Sequence, residues 1–284
     1  MLRVDAHQHY WQLARGDYFW MTPDMGVIYR DYQPNDLEPH LTRHNIAKTV
    51  VVQAADTVAE TEYLLELADA HSSIAGVVGW LDMESPKFEA DLLRLREHPK
   101  FVGIRPMIQD IDDPAWMLSS KVRESFEALV EHDCAFDFLT HPRHLKCTLE
   151  VIRNTPGLRC VIDHISKPYI EKGILQPWQD DLAAIAEFSN VYCKFSGLVT
   201  EANHNAWTLD DLRPYAEHVV DCFGTERLMF GSDWPVCLLA ASYDQVIESA
   251  EVLLADYLDV FDDEARAAVF GGNAIHFYQL AVDG

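Results

Sequence analysis

The sequence predicts an α/β protein of the (β/α)₈ TIM-barrel class. Eight short runs rich in β-branched and aromatic residues recur along the whole chain, and segments with helical spacing of apolar residues separate them. The length of 284 residues is close to the ~250 typical of such a barrel. Because neither a Pro/Gly/Ser-rich linker nor an internal repeat divides the chain, we predict a single barrel domain over residues 1–284.

The predicted strands follow one another at intervals that leave room for helices between them. They are Arg3–His7, Lys48–Gln53, Gly76–Leu81, Val102–Pro106, Ala135–Leu139, Arg159–His164, Val191–Phe195 and Arg227–Phe230. Most of these runs are continuously apolar rather than alternating, which is typical of parallel strands that are covered on both faces.

Between the strands, apolar residues recur every three or four positions, as on the buried face of a helix. The clearest stripes are Val122, Phe126, Leu129 and Val130; Leu212, Tyr215, Ala216, Val219 and Val220; and Val246, Ala250, Leu253 and Tyr257. Ser85 and Pro86 predict a helix start, because serine caps free amides and proline suits the first helical turn. Strands and helices that alternate over eight units imply right-handed crossovers and a parallel sheet closed into a barrel.

The connection after the first strand, about residues 11–45, is predicted to be a long structured loop. It is rich in aromatic residues without sustained periodicity, namely Trp11, Tyr18, Phe19, Trp20, Tyr29 and Tyr32. Such a loop is either a lid or binding loop over a site, or a compact Ω-loop that packs on its own aromatic side chains. The two interpretations are compatible.

The composition describes a globular protein that disfavours anionic partners. Hydrophobic residues make up 49% and charged residues 24% of the chain, which is enough apolar material for one large core. The net charge of −24 repels nucleic acids, acidic membranes and polyanionic ligands. The sequence lacks an apolar run of the ~18 residues that a membrane span needs, and its first residues do not have the pattern of a secretory signal.

The six cysteines are scattered without a CxxC pair, which favours free thiols in a reducing compartment. We therefore expect a cytoplasmic protein whose partner is a small molecule, with no nucleic-acid or membrane partner. Assembly into a homo-oligomer stays open.

Polar residues at the carboxyl ends of the predicted strands are the candidates for chemistry, because barrel active sites form at that end. On strand one, alternation places His7 and His9 on the same side. The other strand ends carry Gln53, Trp80, Arg105, Asp137 followed by His141, Asp163 and His164 followed by Lys167, Lys194 and Ser196, and Ser232-Asp233-Trp234.

Three histidines and one carboxylate are expected to converge at this end of the barrel: His7, His9, His164 and Asp233. Imidazole and carboxylate groups suit a site for a divalent metal. They equally suit a metal-free site for acid–base catalysis. The residue types alone leave both alternatives open.

The motifs His7-Gln8-His9, His164 and Gly231-Ser232-Asp233-Trp234-Pro235 resemble those of the amidohydrolase superfamily. Further motifs along nearly the whole chain resemble its branch of metal-optional lactonases, which act on sugar lactones or on 2-pyrone-4,6-dicarboxylate. They are Asp31-Tyr32-Gln33-Pro34, Val52-Gln53-Ala54, Gly79-Trp80, Val102-Gly103-Ile104-Arg105, Asp163-His164-Ile165-Ser166-Lys167-Pro168, Cys193-Lys194-Phe195-Ser196-Gly197-Leu198 and Gly272-Asn273-Ala274.

The resemblance implies hydrolysis of a sugar-acid lactone, of the L-fuconolactone or L-rhamnonolactone type, to the open hydroxy acid. Asp233 would be the general base that activates water and later protonates the ring oxygen. The histidines His7, His9 and His164 would polarise the carbonyl and hold the oxyanion. The substrate contacts expected are Arg105, Lys194, Gln53, Trp20 and His141.

Two departures from the superfamily pattern limit the expected metal content. Many members bridge two metals with a lysine or glutamate at strand four, where this chain has Arg105, and a permanent cation there would repel a metal pair. Strand seven offers Lys194 rather than a ligand. We expect either no required cofactor or one divalent ion, zinc if present, on His7, His9, His164 and Asp233. Whether Asp137 or His141 faces the site stays open.

Two rival functions remain at this point. Related barrels use a similar histidine–aspartate site for metal-dependent decarboxylation, which tight zinc binding would favour. A non-catalytic binding barrel is the other rival, but it would have no need of an unpaired base at Asp233. For the substrate we expect a neutral lactone, since a dicarboxylate requires several paired cations, although Arg15 and Arg30 in the first loop could supply them.

Overall fold

The computed structural model describes residues 2–255, 257 and 263–282. Eight strands form one sheet in the sequential order β1 to β8, and all neighbouring strands are parallel. The strands are β1 Arg3–Gln8, β2 Ile46–Val52, β3 Ile74–Gly79, β4 Phe101–Ile104, β5 Ala135–Phe138, β6 Cys160–Ile162, β7 Val191–Phe195 and β8 Leu228–Phe230. The predicted (β/α)₈ class is confirmed, and each predicted strand end lies within two residues of the observed one.

The seam between β1 and β8 is closed by the segments that follow their carboxyl ends. Gln8 forms a parallel bridge with Trp234, the His9 amide donates to the Trp234 carbonyl at 2.7 Å, and the Asp233 amide donates to the His7 carbonyl at 2.8 Å. The Asp5 carboxylate adds a second tie, because it accepts from the amides of Ser232 and His7. The barrel therefore closes at its carboxyl end.

Helices connect the strands and cover the outside of the sheet. They are α1 Pro34–Arg43, α2 Val58–Ala70, α3 Phe88–Arg96, α4 Ser120–Glu131, α5 Leu145–Asn154, α6 Trp178–Ala186, α7 Leu198–Glu201, α8 Leu209–Phe223, α9 Tyr243–Leu253, α10 Asp263–Ala267 and α11 Asn273–Tyr278. Most residues of the predicted stripes are buried in α4, α8 and α9. Helix α3 begins at Phe88 rather than at Pro86, because Ser85 instead closes a turn by accepting from the Lys87 amide.

The prediction of a loop through residue 45 is wrong in its last third, because α1 occupies Pro34–Arg43. Its apolar periodicity is short, since Leu37 and Leu41 are its only buried leucines and Pro39 lies inside it. The rest of the connection packs on its own aromatic rings. Trp11 makes edge contacts with Trp20 at 5.8 Å and with Tyr32 at 5.7 Å between ring centroids.

The core has two parts. The larger cluster joins the helices to the outer face of the sheet. The smaller cluster holds side chains from the strands together with Phe277, Tyr278 and Leu280 from the C-terminal segment, so α11 packs against the sheet. All six cysteines are free thiols. Among the described residues, helices long and apolar enough to cross a membrane are absent.

Candidate active site

The two histidines of β1 and the aspartate after β8 meet at the carboxyl end of the barrel. The Nε2 atoms of His7 and His9 lie 3.2 Å apart, as the predicted alternation requires. Asp233 Oδ1 lies 3.3 Å from His9 Nε2 and 3.8 Å from His7 Nε2. His164 joins them from β6, with its Nε2 at 3.8 Å from the same oxygen. The structure therefore brings all four predicted residues together.

His9 has a defined orientation. Its Nδ1 lies 2.7 Å from the Val52 carbonyl oxygen, and a carbonyl can only accept, so Nδ1 carries a proton. In the neutral ring the lone pair therefore sits on Nε2 and points toward His7 and Asp233. The end of β2 in this way fixes which nitrogen of His9 serves the site.

His164 lies in a turn that L-amino acids rarely adopt. Four consecutive residues, His164 to Lys167, have positive φ angles, and each costs roughly 1–2 kcal/mol. Tertiary contacts hold this turn: the Trp178 indole donates to the Ile165 carbonyl at 2.7 Å, and the hydroxyls of Ser166 and Thr140 lie 2.8 Å apart. Strain retained in this way is typical of functional sites.

A serine directly after β7 orients the ring of His164. Its Nδ1 lies 2.9 Å from the Ser196 hydroxyl, so Nε2 faces Asp233. The glycine after Ser196 is equally constrained, because a Cβ on Gly197 would lie 2.7 Å from His164 Nδ1. Ser196 and Gly197, which follow β7, thus determine the position of the His164 ring.

The electrostatics favour an ionised aspartate among neutral histidines. Burial raises the pKa of Asp233, but the neighbouring His164 and His9 outweigh it, and the net pKa lies below the ordinary value of 3.8. Burial lowers the pKa of His7 and of His164 well below 6.5, and it also lowers that of His9. At neutral pH the carboxylate is therefore charged and available to accept a proton.

The same four groups fit a divalent cation. His7, His164 and Asp233 can each offer one ligand atom within 4.8 Å of the others, and the His9 lone pair points to the same region. Ligand pairs at ~2.0–2.1 Å from a tetrahedral zinc ion are spaced much as these atoms are. The donor set suits one ion, and Arg105 Nη1 at 3.3 Å from His7 Nε2 would repel a second one.

A cavity of about 210 Å³ opens above this cluster. Its lining residues are His9, Trp20, Ala54, Arg105, Met107, Gln109, Leu139, His164, Lys167, Asp233 and Val236. His7 does not line the cavity and is fully buried behind His9 and Asp233. Of the expected substrate contacts, Arg105 and Trp20 border the cavity, and Trp20 is tied to the barrel by its indole, which donates to the Ala54 carbonyl.

Arg105 uses part of its hydrogen-bonding capacity within the protein. Its Nη2 donates to the carbonyl and to the side-chain oxygen of Gln53, the latter at 2.9 Å, and its Nη1 lies 3.4 Å from Asp163. Gln53 is fully buried and positions Arg105 instead of contacting a ligand. The expected contact between Gln53 and substrate therefore has no support in this geometry.

Lys194 lies beneath the site and not in it, contrary to the expected substrate contact. Its ammonium is fully buried between Asp137 at 2.5 Å, Asp163 at 3.0 Å and His7 Nδ1 at 3.1 Å. Tyr278 of α11 adds a hydrogen bond to Asp137 at 2.8 Å. A buried cation needs paired carboxylates, and this network supplies them while it supports His7 from behind.

The open question about strand five has an unexpected answer, since neither candidate lines the cavity. Asp137 belongs to the buried network around Lys194, and His141 lies outside the cavity lining with its amide bonded to His144 Nδ1. Lys167 follows a predicted strand end and borders the cavity; from the sequence it is expected only as a possible helper of Arg105 for substrate carboxylates and not as one of the main substrate contacts.

A larger groove adjoins the cavity and shares Trp20 and Met107 with it. Its volume is about 470 Å³, and its lining combines aromatic and acidic side chains. The aromatic members are Phe19, Trp20, Trp80 and Trp116, and the acidic members are Asp56, Asp82, Glu84 and Asp110. We call this feature the acidic groove.

The chain is similar to known proteins along nearly its whole length. The sequence profile of the family described as Amidohydrolase matches residues 4–280. The chain is 44% identical to an L-fucono-1,5-lactonase of Burkholderia ambifaria and 36% identical to one of Burkholderia multivorans, and each match covers 98% of this chain and 96% of the relative. A solved amidohydrolase of Burkholderia multivorans with bound zinc is 36% identical, with a TM-score of 0.92 over 99% of this chain and 100% of that one.

Proposed function

The chain belongs to the amidohydrolase family and hydrolyses a sugar lactone, and from this premise we propose that it opens a neutral 1,5-lactone of the L-fuconolactone type by water that Asp233 activates. The observation that carries the proposal is the carboxyl group of Asp233, which borders a small cavity together with the rings of His9 and His164 and lies with Oδ1 at 3.3 Å from His9 Nε2. Both relatives named L-fucono-1,5-lactonase favour this function over the decarboxylase and the binding barrel.

The cavity suits a single neutral ring. Its volume of about 210 Å³ is below the ~300–1,000 Å³ of pockets for drug-sized ligands. A dicarboxylate would need several free cations. Arg15 stacks on Tyr63 and Arg30 on Tyr32, and neither borders the cavity, so the first loop does not supply them.

In the proposed reaction, Asp233 accepts a proton from water as the water oxygen attacks the lactone carbonyl. The tetrahedral intermediate then collapses, the bond to the ring oxygen breaks, and Asp233 returns the proton to that oxygen. His9 and His164 flank Asp233, and Arg105 binds substrate oxygens. A zinc ion held by His7, His164 and Asp233, when bound, would polarise the carbonyl and lower the pKa of water.

A substrate panel tests the proposal. Purified protein should release acid, followed with a pH indicator, from L-fucono-1,5-lactone faster than from L-rhamnonolactone and far faster than from 2-pyrone-4,6-dicarboxylate. Asp233→Asn should keep the fold and lose turnover by about 10²–10⁴-fold, because the amide cannot accept a proton. Asp112→Asn on an exposed loop is the matched control and should be unchanged.

Two outcomes would overturn this proposal. If the dicarboxylate were hydrolysed faster than every sugar lactone, the neutral-substrate argument would fail while the assignment of the base survived. If folded Asp233→Asn turned over like the wild type, Asp233 would not be the base.

For the metal we propose at most one ion per chain, without an absolute requirement for activity. The basis is the donor set around Asp233 together with Arg105 beside it. Elemental analysis of the protein as isolated should give no more than one equivalent of zinc, and exhaustive chelation should leave measurable turnover. Two equivalents, or activity that vanishes and returns only with zinc, would contradict this.

A further inference from the structure

Three cations surround the predicted reaction centre, and two of them are already committed. Lys194 is fully buried among carboxylates. Arg105 donates to Gln53 and Asp163. The ammonium of Lys167 differs, because its polar contact among the described residues is an ion pair with Glu201 at 3.9 Å, which is too long for a hydrogen bond. Its donors are therefore available to a ligand.

The strained turn explains how Lys167 reaches the site. Residues three apart eclipse one another in a turn of the 3₁₀ type, and the Lys167 amide donates to the His164 carbonyl at 2.8 Å. Lys167 and His164 consequently border the same cavity. An extended chain would place the two side chains far apart, so the left-handed backbone is what brings a cation next to the predicted catalytic histidine.

The fold also places a carboxylate near this cation. Glu201 ends the short helix α7 and is half-buried, and its Oε1 lies 3.9 Å from the Lys167 ammonium. Lys167 lines the same cavity as His164 and Asp233, so its ammonium can reach a ligand bound beside them.

Lactone hydrolysis needs a positive group where negative charge appears. As water attacks, the π electrons of the carbonyl move to its oxygen, and after ring opening the same oxygen becomes part of a carboxylate. A preorganised donor at that position stabilises the transition state. Building on the proposed function, we propose that Lys167 is a catalytic residue whose ammonium binds this oxygen in the transition state and the carboxylate of the product.

The step is balanced without a further reactant. Asp233 carries the proton from water to the ring oxygen, and the carbon exchanges its bond to the ring oxygen for one to the water oxygen. The new carboxylic acid group releases its proton to solvent. Lys167 keeps its proton throughout and acts only by charge and hydrogen bonding.

The first test measures turnover of the best lactone by three variants of Lys167 and by one control variant. Lys167→Met should lower kcat by about 10²–10³-fold with a smaller change in KM, as loss of an oxyanion donor does. Lys167→Arg should retain part of the activity. Ethylammonium added to Lys167→Ala should restore turnover in proportion to its concentration, which a purely structural role would not produce. Lys172→Met is the control, because Lys172 lies over the Tyr169 ring outside the cavity.

The second test measures binding and needs no turnover. Titration with sodium L-fuconate, followed by tryptophan fluorescence because Trp20 borders the cavity, should show weaker binding to Lys167→Met than to the wild type and to Lys172→Met. If the wild-type protein did not hydrolyse any lactone in the panel, only the proposed function would be refuted. The fuconate titration would still show whether Lys167 binds the carboxylate. Folded Lys167→Met with unchanged kcat, or with unchanged fuconate affinity, would overturn the inference.

Discussion

At the scale of single residues, the site depends on the proposed catalytic side chains and also on the neighbouring residues that hold them in position. Gly197 is the sharpest case, because its φ of +70° favours glycine and a Cβ would contact His164 Nδ1 at 2.7 Å. Gly173 has a similar φ of +63° but open space around it. Comparing alanine substitutions at these two glycines therefore separates the effect of backbone strain from the effect of displacing the His164 ring.

We predict that Gly197→Ala loses most of its kcat whereas Gly173→Ala does not. Both variants should lose about 1 kcal/mol of stability, since alanine is strained at positive φ. Only the first displaces His164. Steady-state kinetics and thermal unfolding of both proteins check this, and equal activity in the two variants would show that the His164 position is not critical.

The sequence predicted some residues of the site well and others poorly. Strand alternation is a local property, so the pairing of His7 with His9 could be predicted. The direction of Lys194 could not, because its burial depends on Asp137 in β5 and on Asp163 directly after β6, and their approach is decided by the register between strands. For the same reason Gln53 was expected to contact substrate, whereas it holds Arg105.

At the scale of elements, the strands were predicted closely because continuous apolar runs identify buried parallel strands. Helix α1 was missed since its sequence has few apolar residues and an internal proline. Its position follows from the barrel as a whole, in which every strand needs a following helix. The first turn of α2 shows a different tertiary effect, because its buried Glu60 accepts from the amide of Ala54, the residue whose carbonyl accepts from the Trp20 indole.

This contact makes a prediction about stability and pH. Burial raises the pKa of Glu60 to about 8 from an ordinary 4.5. The unfolded chain therefore releases this proton at lower pH than the folded chain, so the stability linked to Glu60 is fully present below about pH 4.5 and is lost as the pH rises through 8. Glu60→Gln cannot ionise and should gain in Tm relative to the wild type between pH 5 and 9.

Thermal unfolding of both proteins across this pH range is the measurement. Glu62→Gln on the exposed side of the same helix, where Glu62 pairs with Arg94, is the control and should follow the wild type. A constant difference in Tm between Glu60→Gln and the wild type at all pH values would show that the pKa of Glu60 is not raised.

At the scale of the whole molecule, the negative charge of the protein acts differently on the neutral substrate and on the anionic product. The chain carries a net charge of −24, and four of its carboxylates line the acidic groove beside the cavity. A neutral lactone does not respond to this field, but the hydroxy acid formed from it is an anion and is repelled. Short-range binding by Lys167 and long-range repulsion thus act at different stages of one cycle.

We therefore predict that added salt strengthens product inhibition and leaves KM for the lactone nearly unchanged. Salt shortens the Debye length from about 10 Å at 0.1 M to about 3 Å at 1 M, which screens exposed carboxylates more than buried contacts. Inhibition constants for L-fuconate, measured against sodium chloride concentration, test this. Asp82→Asn combined with Asp110→Asn should flatten the dependence, and an inhibition constant that rises with salt would contradict it.

The seam between β1 and β8 also determines when the protein can first become active during its synthesis. His7 and His9 leave the ribosome early, but their partner Asp233 lies 226 positions after His7, and its amide hydrogen-bonds to the His7 carbonyl only when the last strand takes its place. A nascent chain halted before β8 carries every histidine of the site and none of the proposed base. With Asp233 as the proposed base, we expect catalysis to begin only when the barrel is complete.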